Sequence, residues 1–186
     1  MSKNWNGLTA RQHETAKAAF EALVTYDALI PSEARSGGAT NHDSIRNYFD
    51  WINGSSSQTM PTSLQRTLMN NPRVRRDFDR LLKRAAGWHC GRAAAASSGL
   101  LDEREGKGFR LRLLASRGVA GQVYILIELA PDTSAEPNVM VVRGALGECF
   151  RLSLPLSQAG SIQVLSKEET EIVRLLRDPK SEIFLW

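Results

Sequence analysis

Apolar positions recur at helical spacing from Leu8 to about Ala86. From Phe109 to Ser166 they alternate instead, with β-branched residues and turn signals between short runs. A glycine- and alanine-rich stretch, residues 87–108, lies between the two patterns. In the first portion, Thr9 can cap a helix running to about Leu29, with Ala16, Phe20, Leu23 and Val24 on one stripe. Pro31 and Gly37-Gly38 then break the chain. Asn41 or Asp43 opens a second helix, in which Ile45, Tyr48, Phe49 and Ile52 share a face and Gly54 occupies the place of a left-handed C-terminal cap. Thr62 caps a short third helix containing Leu64 and Leu68. Asn71-Pro72, a capping residue followed by proline at the first helical position, starts a fourth. Its Val74, Phe78, Leu81, Leu82 and Ala85 form an apolar stripe, with Arg73, Arg76, Arg80, Lys83 and Arg84 on the opposite side.

In the second portion Phe109, Leu111 and Leu113 alternate with Arg110 and Arg112, and Gln122–Leu129 reads as a central strand. Val139–Val142, Cys149–Leu154 and Ser161–Leu165 follow as strands. Ser166 with Glu169 forms a capping box for a helix carrying Ile172, Leu175 and Leu176, which Asp178-Pro179 ends. Glu182–Trp186 reads as a last strand, its apolar end tucked into a sheet. The predicted fold is α+β. An N-terminal helical module of about four helices (1–86) is joined by a flexible linker (87–108) to a small antiparallel β-sandwich-like domain (109–186) with one C-terminal helix.

Composition changes this picture little. A chain of 186 residues, 42% apolar and 24% charged, suits one soluble domain or two small ones. No apolar run approaches the ~20 residues that cross a bilayer. The polar start, Met1 to Leu8, lacks the apolar core of a signal peptide, so a cytoplasmic location is expected. Two cysteines, Cys90 and Cys149, do not make a disulfide framework. Charge is more telling. Residues 51–100 hold eight Lys/Arg against two acids, a balance of +6, so that the rest of the +4 chain sums to −2.

Candidate chemistry is sparse. His13, His42 and His89 lie in separate segments, and His89 with Cys90 lacks the paired spacing of a zinc site. Asp102, Glu103 and Glu105 sit beside Arg104 and Lys107 in what reads as a solvated charge run. Gly118-Val119-Ala120-Gly121 has the spacing of a hairpin turn rather than of a phosphate loop. Neither an enzyme nor a cofactor nor a metal is therefore expected. The basic helix offers an alternative function, nucleic-acid binding through Arg73, Arg75, Arg76, Arg80 and Lys83. Against it, Asp77 is placed to pair with Arg73, and Asp79 with Lys83.

Residues 42–86 carry a further pattern. A helix ends in Tyr48-Phe49-Asp50-Trp51-Ile52-Asn53-Gly54. A short helix then runs into Leu68-Met69-Asn70-Asn71-Pro72-Arg73-Val74-Arg75, and a longer one ends in Leu81-Leu82-Lys83-Arg84. This resembles the helical domain of bacterial anti-sigma factors, over about a quarter of the chain. The His-x3-Cys-x2-Cys signature of the family's zinc-binding members has no counterpart here, so the resemblance is to a zinc-free version. It implies a soluble regulator that clamps another protein, a sigma factor, with no membrane anchor. Tyr48, Phe49, Trp51 and Ile52 are the expected docking face, Trp51 projecting beyond the Tyr48–Ile52 stripe as an interface anchor.

Overall fold

Among the described residues, three helices and eight strands, with a fourth helix near the end, make up most of the backbone. The computed structural model describes residues 40–54, 58–93, 99–131 and 136–186. The helix expected over Thr9–Leu29 lies outside them. Contacts group Met1–Asn41 into one unit and His42–Trp186 into another, and the architecture below is that of the second. In chain order the elements are α1 (Thr40–Asn53), α2 (Thr62–Asn70), α3 (Pro72–Ala85), β1 (Trp88–Cys90), β2 (Glu103–Gly106), β3 (Phe109–Ala115), β4 (Gln122–Leu129), β5 (Val139–Arg143), β6 (Cys149–Ser153), β7 (Ser161–Lys167), α4 (Glu171–Arg177) and β8 (Glu182–Leu185). The class is α+β, with two four-stranded antiparallel sheets ordered β1-β8-β5-β6 and β2-β3-β4-β7.

The first sheet is covered on both faces. Met140 and Val142 of β5, with Ile183 and Leu185 of β8, join Leu111, Ile125 and Ile127 of the second sheet and Leu175 and Leu176 of α4 in one cluster. The alternate residues Val139, Val141 and Phe184 point the other way, into a cluster with Tyr48, Trp51, Ile52, Val74, Phe78 and Leu82 of the helices. Period-2 geometry makes this division, since successive side chains leave opposite faces of a strand. The C-terminus is held as expected, β8 lying between β1 and β5.

This arrangement corrects the expected division of the chain. Within the expected linker, 87–108, the described residues 87–93 and 99–108 carry strands. They supply β1 against β8, and β2 against β3 through a two-residue turn, Lys107-Gly108, in which Gly108 has φ +82°. No boundary at residue 86 divides the interior either, because α1–α3 and the first sheet share their buried side chains. The α1–α2 connection also joins the sheet. Arg151 N–H donates to the Gln58 carbonyl (2.7 Å), and Thr59 bridges to Phe150 at the edge strand β6.

Local signals vary in fidelity. Asn71 caps α3 as expected, its Oδ1 accepting from Arg73 N–H (3.0 Å) and Val74 N–H (3.2 Å). Gly54 does not adopt the left-handed cap. An added Cβ there would meet the Asp50 carbonyl oxygen at 2.7 Å, and that close approach explains the glycine. Thr62 is the first residue of α2 rather than its cap, which is Pro61. The helix expected to open at Ser166 starts at Glu171 behind Thr170, because β7 runs on to Lys167. Ser166 and Thr170 instead join their hydroxyls (3.0 Å).

Arginines from elsewhere in the chain meet three helix ends. Arg151 of β6 donates to the Ile52 carbonyl at the end of α1 (2.6 Å). Arg75 donates to the Leu68 (3.0 Å) and Met69 (2.6 Å) carbonyls of α2. Arg104 of β2, 4% exposed, donates to Leu176 and Asp178 carbonyls at the end of α4, and to those of Gly91 and Ser181. Neither α1 nor α2 has a basic residue in its own last turn. The tertiary guanidinium satisfies the orphan carbonyls and the negative end of the helix dipole in its place.

Candidate functional site

The expected docking face is inside the molecule. Tyr48 and Ile52 are fully buried, Trp51 is 8% exposed, and Phe49 is half-buried. Tyr48 packs its ring 4.8 Å from that of Phe78 and donates its hydroxyl to the Leu64 carbonyl (2.8 Å). Burial, with nearby Cys149, pushes the phenol up to about 12. Burial likewise raises the Cys149 thiol to about 12, far from a reactive thiolate. The position of Trp51 off the Tyr48–Ile52 stripe brings it into the cluster that the helices share with the first sheet rather than to solvent, because a packed helix buries a wider arc than its apolar stripe alone.

The basic residues lie outside. Arg73, Arg75, Arg76, Arg80, Lys83 and Arg84 of α3 are all exposed, while Val74, Phe78 and Leu82 face the core. Of the two acids of α3, Asp79 does not pair with Lys83 as the i, i+4 spacing suggests. Asp77 meets Arg80 (3.5 Å), and Asp79 turns to Arg143 of β5. Asp79 thus directs its charge toward the sheet, while Asp77 stays beside Arg80 on the helix.

Arg143 is the centre of a charged cluster between α3 and the first sheet. It pairs with Asp79 and with Glu182 of β8, donating Nε–H to Glu182 Oε2 (3.1 Å). His89 of β1 stacks on Phe184 (4.6 Å between ring centres, 19° between planes), with Nε2 3.7 Å from Glu182 Oε1. Burial lowers the His89 pKa. Glu182 opposes that shift, and the Lys83 charge adds to it. Burial would raise the Glu182 carboxyl, but the Arg143 hydrogen bond and charge, aided by Arg92 and Lys83, hold it below the usual carboxylate value. Among the described residues no three His, Cys, Asp or Glu side chains come together as metal ligands.

Beside this cluster a cleft of about 240 Å³ opens between the end of α2, the start of α3, Arg92 and the β5–β6 turn. Met69 (53% exposed) and Leu146 (81%) stand at its rim, and Arg75, Arg92 and Asp79 line it. Periodicity pointed to none of this, since the cleft is assembled from a helix end and a turn. An apolar Leu146 in the turn Gly144-Ala145-Leu146-Gly147 is the one signal the sequence offered.

Compared with family models, with curated proteins and with solved structures, the chain matches none. Among the described residues no helix is long and apolar enough to cross a membrane.

Proposed function

We propose that this chain is a soluble, cytoplasmic, non-enzymatic regulatory protein that acts by binding another protein. In this reading α1–α3, the described part of the expected helical module, are a docking unit carried on the β-sandwich-like remainder. The resemblance of residues 42–86 to zinc-free anti-sigma helical domains makes a sigma factor the first partner to test. One observation carries the reading. Exposed apolar side chains, Met69 and Leu146, stand among unburied arginines on the surface formed by α2, α3 and the β5–β6 turn. Apolar anchors ringed by arginine suit a protein interface. The docking surface therefore moves from the sealed Tyr48–Ile52 side of α1 to this exposed one. The test is size-exclusion chromatography of the purified chain mixed with each sigma factor of its own cell. Co-elution at micromolar concentration supports the reading, and its absence with every one of them removes the named partner.

The exposed row Arg73, Arg76, Arg80 and Lys83 favours a second reading, nucleic-acid binding. It predicts retardation of duplex or single-stranded DNA at low salt, weakening steeply as salt rises through counterion release. No shift at low salt would eliminate it.

A further inference from the structure

The geometry points to the cleft between α2, α3 and the β5–β6 turn as the seat for an acidic, apolar-flanked helix of a partner protein. This deepens the protein-binding reading above and rests on it. Size is the first argument. Small-molecule sites usually enclose roughly 300–1,000 Å³, whereas this cleft holds about 240 Å³ and is open on one side. It accommodates one or two side chains rather than a cofactor.

Charge is the second. Arg143, on the cleft wall, is already neutralised by Asp79 and Glu182. Among the described residues Arg75 is held by backbone carbonyls and has no ion pair, so its orientation is fixed without a carboxylate partner there. Arg92 is exposed and makes no direct ion pair among the described residues, its charge acting on Glu182 only from a distance. Two cations, one of them pre-oriented, thus face an opening whose rim is Met69 and Leu146. A matching occupant sets a carboxylate beside a leucine-like side chain, as the flank of an acidic amphipathic helix does.

A nucleic-acid strand fits less well. Phe78, the aromatic residue among those lining the cleft, is sealed in the core, where no base can stack on it.

The experiment uses the full chain and a fluorescein-labelled amphipathic peptide bearing Leu on one face and Glu along its edge, titrated by fluorescence anisotropy. Saturable binding is expected. Arg92→Glu and Leu146→Asp, each alone, should weaken it about tenfold or more with the thermal midpoint unmoved, because both side chains are exposed. A Gln-for-Glu peptide should bind correspondingly less well. No saturable binding, or binding that withstands both substitutions, overturns the cleft assignment. A single-stranded oligonucleotide that binds more tightly than the peptide and is lost with the same two variants overturns it as well. The variants are also run against the sigma factors. A complex that forms and tolerates both substitutions removes the cleft but keeps the protein-binding reading. Peptide binding without any sigma-factor complex keeps the cleft and removes that partner.

Discussion

The two sheets differ in what covers them, and the difference explains how each reads in the sequence. The second sheet packs one face on the first and leaves the other open, so along β3 buried Phe109 and Leu111 alternate with exposed Arg110 and half-buried Arg112. Arg112 and Glu128 pair across that open face, and Leu114, Tyr124 and Leu165 lie in a cross-strand row on it. The first sheet lies between the second sheet and the helices. β5 and β8 are consequently apolar on both sides, as Val139-Met140-Val141-Val142 and Ile183-Phe184-Leu185 show. An antiparallel sheet usually wets one face. Here the helices remove that option. The general lesson is that a strand without alternation announces a second covering layer.

The largest effects should come from stripping that layer. Phe184→Ala and Trp51→Ala, on the two sides of the helix–sheet contact, should each cost about 3–5 kcal/mol in urea unfolding, as large-to-small core changes do. A loss below about 1 kcal/mol for Trp51 would return it to the surface as a docking residue.

Arg104→Met keeps the aliphatic stem and removes the donors. It should cost about 3 kcal/mol, because the Gly91, Asp178 and Ser181 carbonyls lose a charged partner in a buried site. Urea titration with an unchanged m-value would distinguish this from a change of fold.

Acidification should give a smaller, graded loss. The His89 pKa is lowered in the folded protein, so the unfolded chain binds that proton more readily. Stability should be flat above the usual histidine value of 6.5 and fall as pH drops through the lower folded value. Lys83 as a cation and Glu182 as an anion act on the ring, and Glu182 is itself paired with Arg143, which also pairs with Asp79. Glu182, also held low, keeps its contribution through this window and loses it only below the usual carboxyl value of 4.5. Thermal midpoints across pH 5–7 should therefore flatten in His89→Gln while the acid limb remains.

Smallest of all, Leu165→Thr on the open face should change stability by no more than about 0.5 kcal/mol. Ile125→Thr, the fully buried inward-facing contrast, should cost several times that. Equal costs would mean that the open face is covered.

Legibility followed pattern length. β3 and β4 were readable because seven or eight residues suffice to show a period, and α3 because Asn71-Pro72 announces it. β1 and β2, three and four residues long, show no period. The Glu103-Arg104-Glu105 run reads as a solvated charge cluster, yet it alternates out, in, out, with Arg104 pointing inward to carbonyls more than 70 positions away. The basic surface was visible as composition, but its accessibility depended on Asp79 choosing Arg143 over Lys83. The cleft was invisible for the same reason, being made by contacts between distant segments.

The guanidinium that finishes α1 sits 99 positions downstream of the carbonyl it serves. A ribosome that has delivered the helices but not yet β6 therefore holds a segment whose last turn lacks its donor. Expressing the first 86 residues alone should yield a frayed, protease-sensitive product, and adding the remaining polypeptide in trans should rescue it.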